Sequence, residues 1–307
     1  MNASDYFRAL RSRAVTIVVD DPADAAIWSE LGDVRTLAEH DLLAEHDRPA
    51  LVVASRLATT GQLYDAWEDA PGEFTVLWAA RYDAGSAAQR HAAALLRGCD
   101  GPGALARRAA RYDELLTSSG CEVRTAAGAL AVTLGDELEI ANMSDEIRPR
   151  WLQATTEFLE ASIVNLERDG SSFITRGVFA FDGLAWLVNT ADARATHGDA
   201  LDRLMRAAAS GRTNLLEVAD NRVVRAIVGG VDTTATLAAL FADDARGPSV
   251  LELGFGCAAL APAWTLDSPL HKCSAGAFLG IGTGHRGPHV DFVAVDADVR
   301  FTAHAPA

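Results

Sequence analysis

Three short apolar runs, Ala14–Val19, Ala50–Ala54 and Phe74–Trp78, are continuous rather than alternating. A strand with one face in water alternates apolar and polar residues, so a continuous run asks for burial on both faces. Between and after these runs lie helix-compatible stretches: Ala23–Leu31, the segment from Thr59 through Trp67, Ala87–Arg97 and Ala104–Leu116. Pro22 follows Asp20 and Asp21, where a proline suits the first turn of a helix. Gly101, Pro102 and Gly103 read as a loop, and Cys121–Thr125 as one more short strand. Strands alternating with helices predict a parallel sheet covered on both faces.

The pattern changes near residue 125. Ala129–Leu134 and Leu138–Ala141 flank Gly135 and Asp136 and read as a hairpin. Trp151, Leu152, Phe158, Leu159, Ile163 and Leu166 recur at helical spacing. From Phe173 the chain turns strand-like: Phe173–Ile174, Val178–Phe181 and Ala185–Val188 are separated by Gly177 and by the turn dipeptide Asp182–Gly183. Asn214–Val218 and Val223–Val228 flank Asp220 and Asn221, a second hairpin signal, and Thr234–Phe241 reads as a short helix. Val250–Phe255, Ala277–Ile281 and Val290–Val295 form a last set of strands. The expected organisation is an α/β domain over 1–125 with a parallel sheet, then a strand-rich α+β domain over 126–307.

Charge limits the partners. The 307 residues carry 27 basic and 42 acidic side chains, a net charge of −15. Phosphate backbones and anionic membranes need a basic surface, so neither nucleic acid nor a membrane is expected as a partner. No apolar stretch approaches the roughly 20 residues that span a bilayer, and the charged N-terminus is no secretory signal. The four cysteines, Cys99, Cys121, Cys257 and Cys273, show no C-x-x-C spacing and read as reduced, buried thiols of a cytoplasmic protein. Cys257 and Cys273 flank the richest stretch of the chain but are read the same way. The turn after Val15–Val19 lacks glycine, and neither Gly254-x-Gly256 nor Gly280–Gly284 makes a dinucleotide loop.

That richest stretch is 251–292. Glu252 lies inside an apolar strand, where a lone carboxylate is costly without a compensating cation or donor. His289 and Asp291 alternate along one strand and so share a face. Together with His271 they offer the imidazole and carboxylate ligands of a zinc or iron(II) site. His285 stands in a glycine-flanked loop. Arg107, Arg108 and Arg111 read as a solvated basic helix face. His40, His46, His91 and His304 have no ligand spacing to one another.

The order of elements after residue 173 resembles the catalytic domain of the M29, aminopeptidase T-like, metallopeptidases and the related 2,5-dihydroxypyridine dioxygenases. The similar segments are Gly177–Phe179, Asp220–Val224, Glu252–Gly256, Gly276–Gly282 and His289–Val293. The resemblance implies a metal site, and it keeps Glu252, His289, Asp291 and Lys272. It puts Val178, His271 and Phe278 where the family has a glutamate, a glutamate and a histidine. Valine and phenylalanine ligate nothing, so a two-metal peptidase site is not expected. The chain is also similar to the peptide-binding accessory proteins of crocagin-type ribosomal peptide biosynthesis. The resulting expectation is a catalytically degenerate, dimeric peptide binder with no cofactor, whose cleft is walled by Val178, Trp186, Phe255, Trp264 and Phe278. The alternative is a mononuclear zinc or iron(II) enzyme using His271, His289 and Asp291, with Glu252 as ligand or general base.

Overall fold

The computed structural model describes residues 1–44, 46–78, 85–167, 170–284 and 287–304. Four parallel strands, β1 (Thr16–Val19), β2 (Asp33–Thr36), β3 (Ala50–Val53) and β4 (Phe74–Leu77), form the first sheet in the order β2-β1-β3-β4. The three continuous apolar runs supply β1, β3 and β4, and every residue of those strands is buried. The helices of this half are α1 (Ala3–Arg11), α2 (Ala25–Trp28), α3 (Leu57–Ala66), α4 (Gly85–Gly98) and α5 (Gly101–Leu116). Helix α1 was not expected from the N-terminal segment. Asn2 caps it, and Ala3, Tyr6, Phe7 and Leu10 form its buried stripe. The loop read at Gly101–Gly103 is the first turn of α5, with Pro102 at its start and Asp100 as cap.

The remaining strands make two antiparallel sheets. The seven-stranded sheet runs β13-β12-β11-β9-β6-β5-β17, from β5 (Ser118–Thr125), β6 (Gly128–Leu134), β9 (Phe173–Ala180), β11 (Leu215–Ala219), β12 (Arg222–Val228), β13 (Val231–Asp232) and β17 (Asp298–Ala303). The six-stranded sheet runs β10-β16-β15-β14-β8-β7, from β7 (Glu139–Ile140), β8 (Glu160–Val164), β10 (Gly183–Leu187), β14 (Val250–Gly256), β15 (Gly276–Ile281) and β16 (His289–Val295). Helices α6 (Ala191–Ala208) and α7 (Thr234–Leu240) accompany them. The strand ending at the expected boundary, β5, pairs with β6 and with β17 near the C-terminus. Apolar residues of both sheets join one buried cluster, and Phe255 of β14 meets Phe301 of β17 with ring centroids 5.9 Å apart. Among the described residues, no helix is long and apolar enough to cross a membrane.

Several local expectations are corrected. The hairpin placed around Gly135 and Asp136 does not form: β6 pairs with β5 and β9, while β7 crosses to β8 in the other sheet. The helix read over Trp151–Leu166 is a 3-10 turn, Thr155–Phe158, followed by β8. Its β-branched Ile163 and Val164 sit between two neighbouring strands, and sheet pairing overrides the helical spacing. Asp182 and Gly183 close no hairpin, because β9 and β10 belong to different sheets. Helix α6, capped by Thr190, lies in a half expected to be poor in helix.

The hairpin at Asp220 and Asn221 forms as expected. It is a two-residue turn between β11 and β12, with φ of 50° and 64°. Asn221 also donates to the Phe173 carbonyl and accepts from the Thr175 N–H and hydroxyl, tying the turn to β9. Asn221→Ala loses these bonds and puts a residue less suited to left-handed backbone in the turn. It is expected to cost about 2–4 kcal/mol, read as a lower urea midpoint at unchanged m.

Candidate functional site

The site is built on one face of the six-stranded sheet. Across it, Asp291 of β16 pairs with Gly280 of β15, and Gly280 with Glu252 of β14. Directly paired residues point to the same face, so Gly280 is an empty seat between two carboxylates. A Cβ there would lie 2.9 Å from both the Glu252 Cβ and a His289 ring carbon. The next pairs on that face are Gly254 with Phe278 and Gly256 with Glu160. The alternate glycines of Glu252–Gly256 therefore have a use: a Cβ on Gly254 would lie 2.0 Å from the Phe278 ring, and one on Gly256 would lie 1.9 Å from the Ser274 carbonyl oxygen. Leu253 and Phe255 point to the opposite, fully buried face.

Lys272 reaches this face from a 3-10 turn, Pro269–Cys273. Its Nζ lies 3.0 Å from Glu160, 3.6 Å from Glu252 and 4.9 Å from the centre of the Phe278 ring. His289 donates from Nδ1 to the Gly282 carbonyl at 2.7 Å, and its Nε2 lies 2.8 Å from Asp291 and 3.5 Å from Glu252. One ligand atom from each of Glu252, His289 and Asp291 lies within 4.8 Å of the others.

Burial and charge work against each other here. Desolvation pushes the Glu160 carboxyl up to about 8, although Lys272 pulls it down. Burial pulls the Lys272 ammonium toward neutrality, but Glu160, Glu252 and Asp291 outweigh it and hold its pKa well above the ordinary lysine value. The same contest at His289 is won by Asp291 and Glu252, which raise its pKa and favour the imidazolium. Two cations thus stand among three carboxyl groups, of which Glu160 keeps its proton up to about pH 8. Behind them Arg108, which is buried, donates to the Glu160 carbonyl at 3.0 Å and to Asp145 at 2.8 Å, anchoring β8. Arg107 stays exposed while donating to the Cys257 carbonyl, and Arg111, paired with Glu114, covers Phe255; of the three arginines expected on a solvated face, Arg108 is the one that is buried.

A cleft of about 290 Å³ opens onto the cluster. Tyr64, Trp78, Leu187 and Pro269 line it together with Glu157, Glu160, Lys272, His289 and Asp291. The structure sets His271 apart from the other candidate ligands: its Nε2 lies 3.1 Å from Nε2 of His91, and its ring packs edge-on to Trp264. Val178 is on the seven-stranded sheet against Gly128. Trp186 is buried on the far side of β10, beneath the Arg194 guanidinium, and Trp264 packs on Gly183. Phe278 is fully buried beneath Lys272. None of the five expected aromatic or aliphatic walls lines the cleft. His40 and His46 stack at 4.0 Å, all four cysteines are buried, and His285 lies outside the described residues.

Sequence reasoning missed Glu160, Glu157, Tyr64 and Trp78. A glutamate flanked by Phe158, Leu159 and Ala161–Val164 was a signal for Glu160. The helical reading of that segment hid it by allowing it a polar face.

The model of one protein family, described as crocagin biosynthetic protein CgnE/B, matches residues 12–302. The chain belongs to this family. Two solved structures are similar to it. The first is a 2,5-dihydroxypyridine dioxygenase from Pseudomonas putida KT2440, at 13% identity and a TM-score of 0.49, covering 99% of this chain and 97% of that one. The second is wild-type AmpT from Thermus thermophilus, at 12% identity and a TM-score of 0.47, covering 97% of this chain and 96% of that one. No curated protein matches. Membership in the CgnE/B family gives the chain a role in natural-product biosynthesis.

The raised Glu160 pKa carries a sign. The folded state holds a proton that the unfolded chain releases at the ordinary carboxylate value, so stability from this group is present at low pH and is lost as pH rises toward about 8. Glu160→Gln removes the titration. The melting temperature of the wild type is expected to fall more steeply than that of the variant between about pH 5 and 8. Parallel profiles would put Glu160 at an ordinary carboxylate value.

Proposed function

We propose that the protein captures a peptide in this cleft without cleaving it, and so assists the biosynthesis of a ribosomally made modified peptide. The observation that carries this reading is the Lys272 ammonium lodged between Glu160 and Glu252. The carboxylates that a hydrolytic metal centre would draw on are already bridged by a tethered cation. A second metal would have to compete with Lys272 for Glu160 and Glu252, and Phe278 on the same face offers no donor. What the cleft retains suits recognition. Tyr64 and Trp78 supply apolar walls, and Glu157 and Asp291 supply negative charge for a free amine or a basic side chain.

A single-metal reading is favoured by one observation, the closeness of Glu252, His289 and Asp291. One imidazole and two carboxylates fit the donor chemistry of zinc or iron(II), and such an ion would supply Lewis acidity at the cleft floor. Binding it requires His289 to give up its proton and the ion to sit close to Lys272, both of which oppose it.

Calorimetry with a lysine-containing pentapeptide of free amino terminus is expected to give a Kd of about micromolar order, unchanged by EDTA, with the peptide intact by mass spectrometry. Peptide cleavage abolished by EDTA would establish the metal enzyme instead. Lys272→Met lifts the repulsion and is expected to raise zinc affinity by about tenfold or more over the wild type, read by competition with a chromogenic chelator.

A further inference from the structure

A second concavity, of about 610 Å³, adjoins the cleft and is lined by Tyr64, Trp67, Trp78, Trp151 and Leu152. It shares Tyr64, Trp78 and Glu157 with the cleft, so the two adjoin along a common wall. We propose that this groove is a side-chain subsite for the same peptide ligand, taking a bulky aromatic residue that stands next to a basic one. The inference rests on the peptide-binding reading and adds to it the class of residue recognised.

Three observations support the occupant. The groove is rich in aromatic surface held in place: Trp78 donates from Nε1 to the Thr60 hydroxyl at 3.1 Å, and the Arg148 guanidinium covers Trp151 at 5.4 Å. Rings fixed in this way lose little freedom on binding another ring. Tyr64 and Trp151 nonetheless stay 50% and 51% exposed, an exposed aromatic patch that marks an interaction surface. Charge selects the neighbouring residue. Glu157 stands where cleft and groove meet, fixed by the Asn142 amide at 2.9 Å, and Glu68 lines the groove beyond it. Arg150 is the one basic group lining the groove among the described residues, so the two carboxylates leave room for a cation beside the bound ring.

The test uses two synthetic pentapeptides that differ only in tryptophan or alanine next to a lysine, titrated into the full chain by calorimetry. The tryptophan peptide is expected to bind about tenfold tighter or more. Trp151→Ala, at a half-exposed position that lines the groove and not the cleft, is expected to erase the preference while the alanine peptide binds as before. Equal binding of both peptides, or a preference surviving this substitution, overturns the subsite and leaves peptide binding standing. Failure of both peptides to bind overturns both. A dimeric wild-type mass that falls to monomer with Trp151→Ala assigns the groove to a second copy of the chain and likewise overturns the proposal.

Discussion

Lys272 sits at 12% side-chain exposure between Glu160 at 4% and Glu252 at 13%, and much of the six-stranded sheet is arranged around that fact. Taking charges out of water costs several kcal/mol per ion, so such a group persists only with close partners of opposite sign. The sheet supplies them by register. Glu160, Glu252 and Asp291 come from three separate strands, and Gly280 leaves open the seat in which the last two converge with His289. The buried Arg108 and the 3-10 turn carrying Lys272 then fix the two sides of the cluster.

The same arrangement is what the proposal of capture without chemistry rests on. A protein-borne ammonium compensates carboxylates as an ion would, but it cannot activate water or polarise a carbonyl as a metal does. It also raises the barrier to metal entry, because the best three-ligand set, Glu252, His289 and Asp291, includes a carboxylate already shared with Lys272. Family membership puts the chain in natural-product biosynthesis, and the cleft with its adjoining aromatic groove supplies a surface on which a peptide can be held.

The backbone of this account was partly legible in the sequence. Continuous apolar runs announced the parallel sheet, because two-sided burial leaves no room for polar residues. Glu252, His289 and Asp291 could be singled out because a carboxylate in an apolar strand and an H-x-D pair carry their reasons locally. Glu160 carried the same local signal, but the helical reading of its segment hid it, and its partners come only from β8 pairing with β14, a contact across about ninety residues of chain. His271 was misjudged for the complementary reason. Its neighbour in sequence, Lys272, faces the cluster, and a single residue along a 3-10 turn sends the histidine to His91 and Trp264. Of the aromatic walls named from the C-terminal half, Trp186, Phe255 and Phe278 are core residues and Trp264 is part-buried against Gly183. The ones that line the cleft, Tyr64 and Trp78, follow from the packing of the first half on the second.

The most direct test of the central claim is the metal content of protein purified without chelator. If Lys272 and His289 already neutralise the cluster, zinc and iron are expected far below one per chain. One zinc or iron per chain, lost on both His289→Ala and Asp291→Ala, would contradict it.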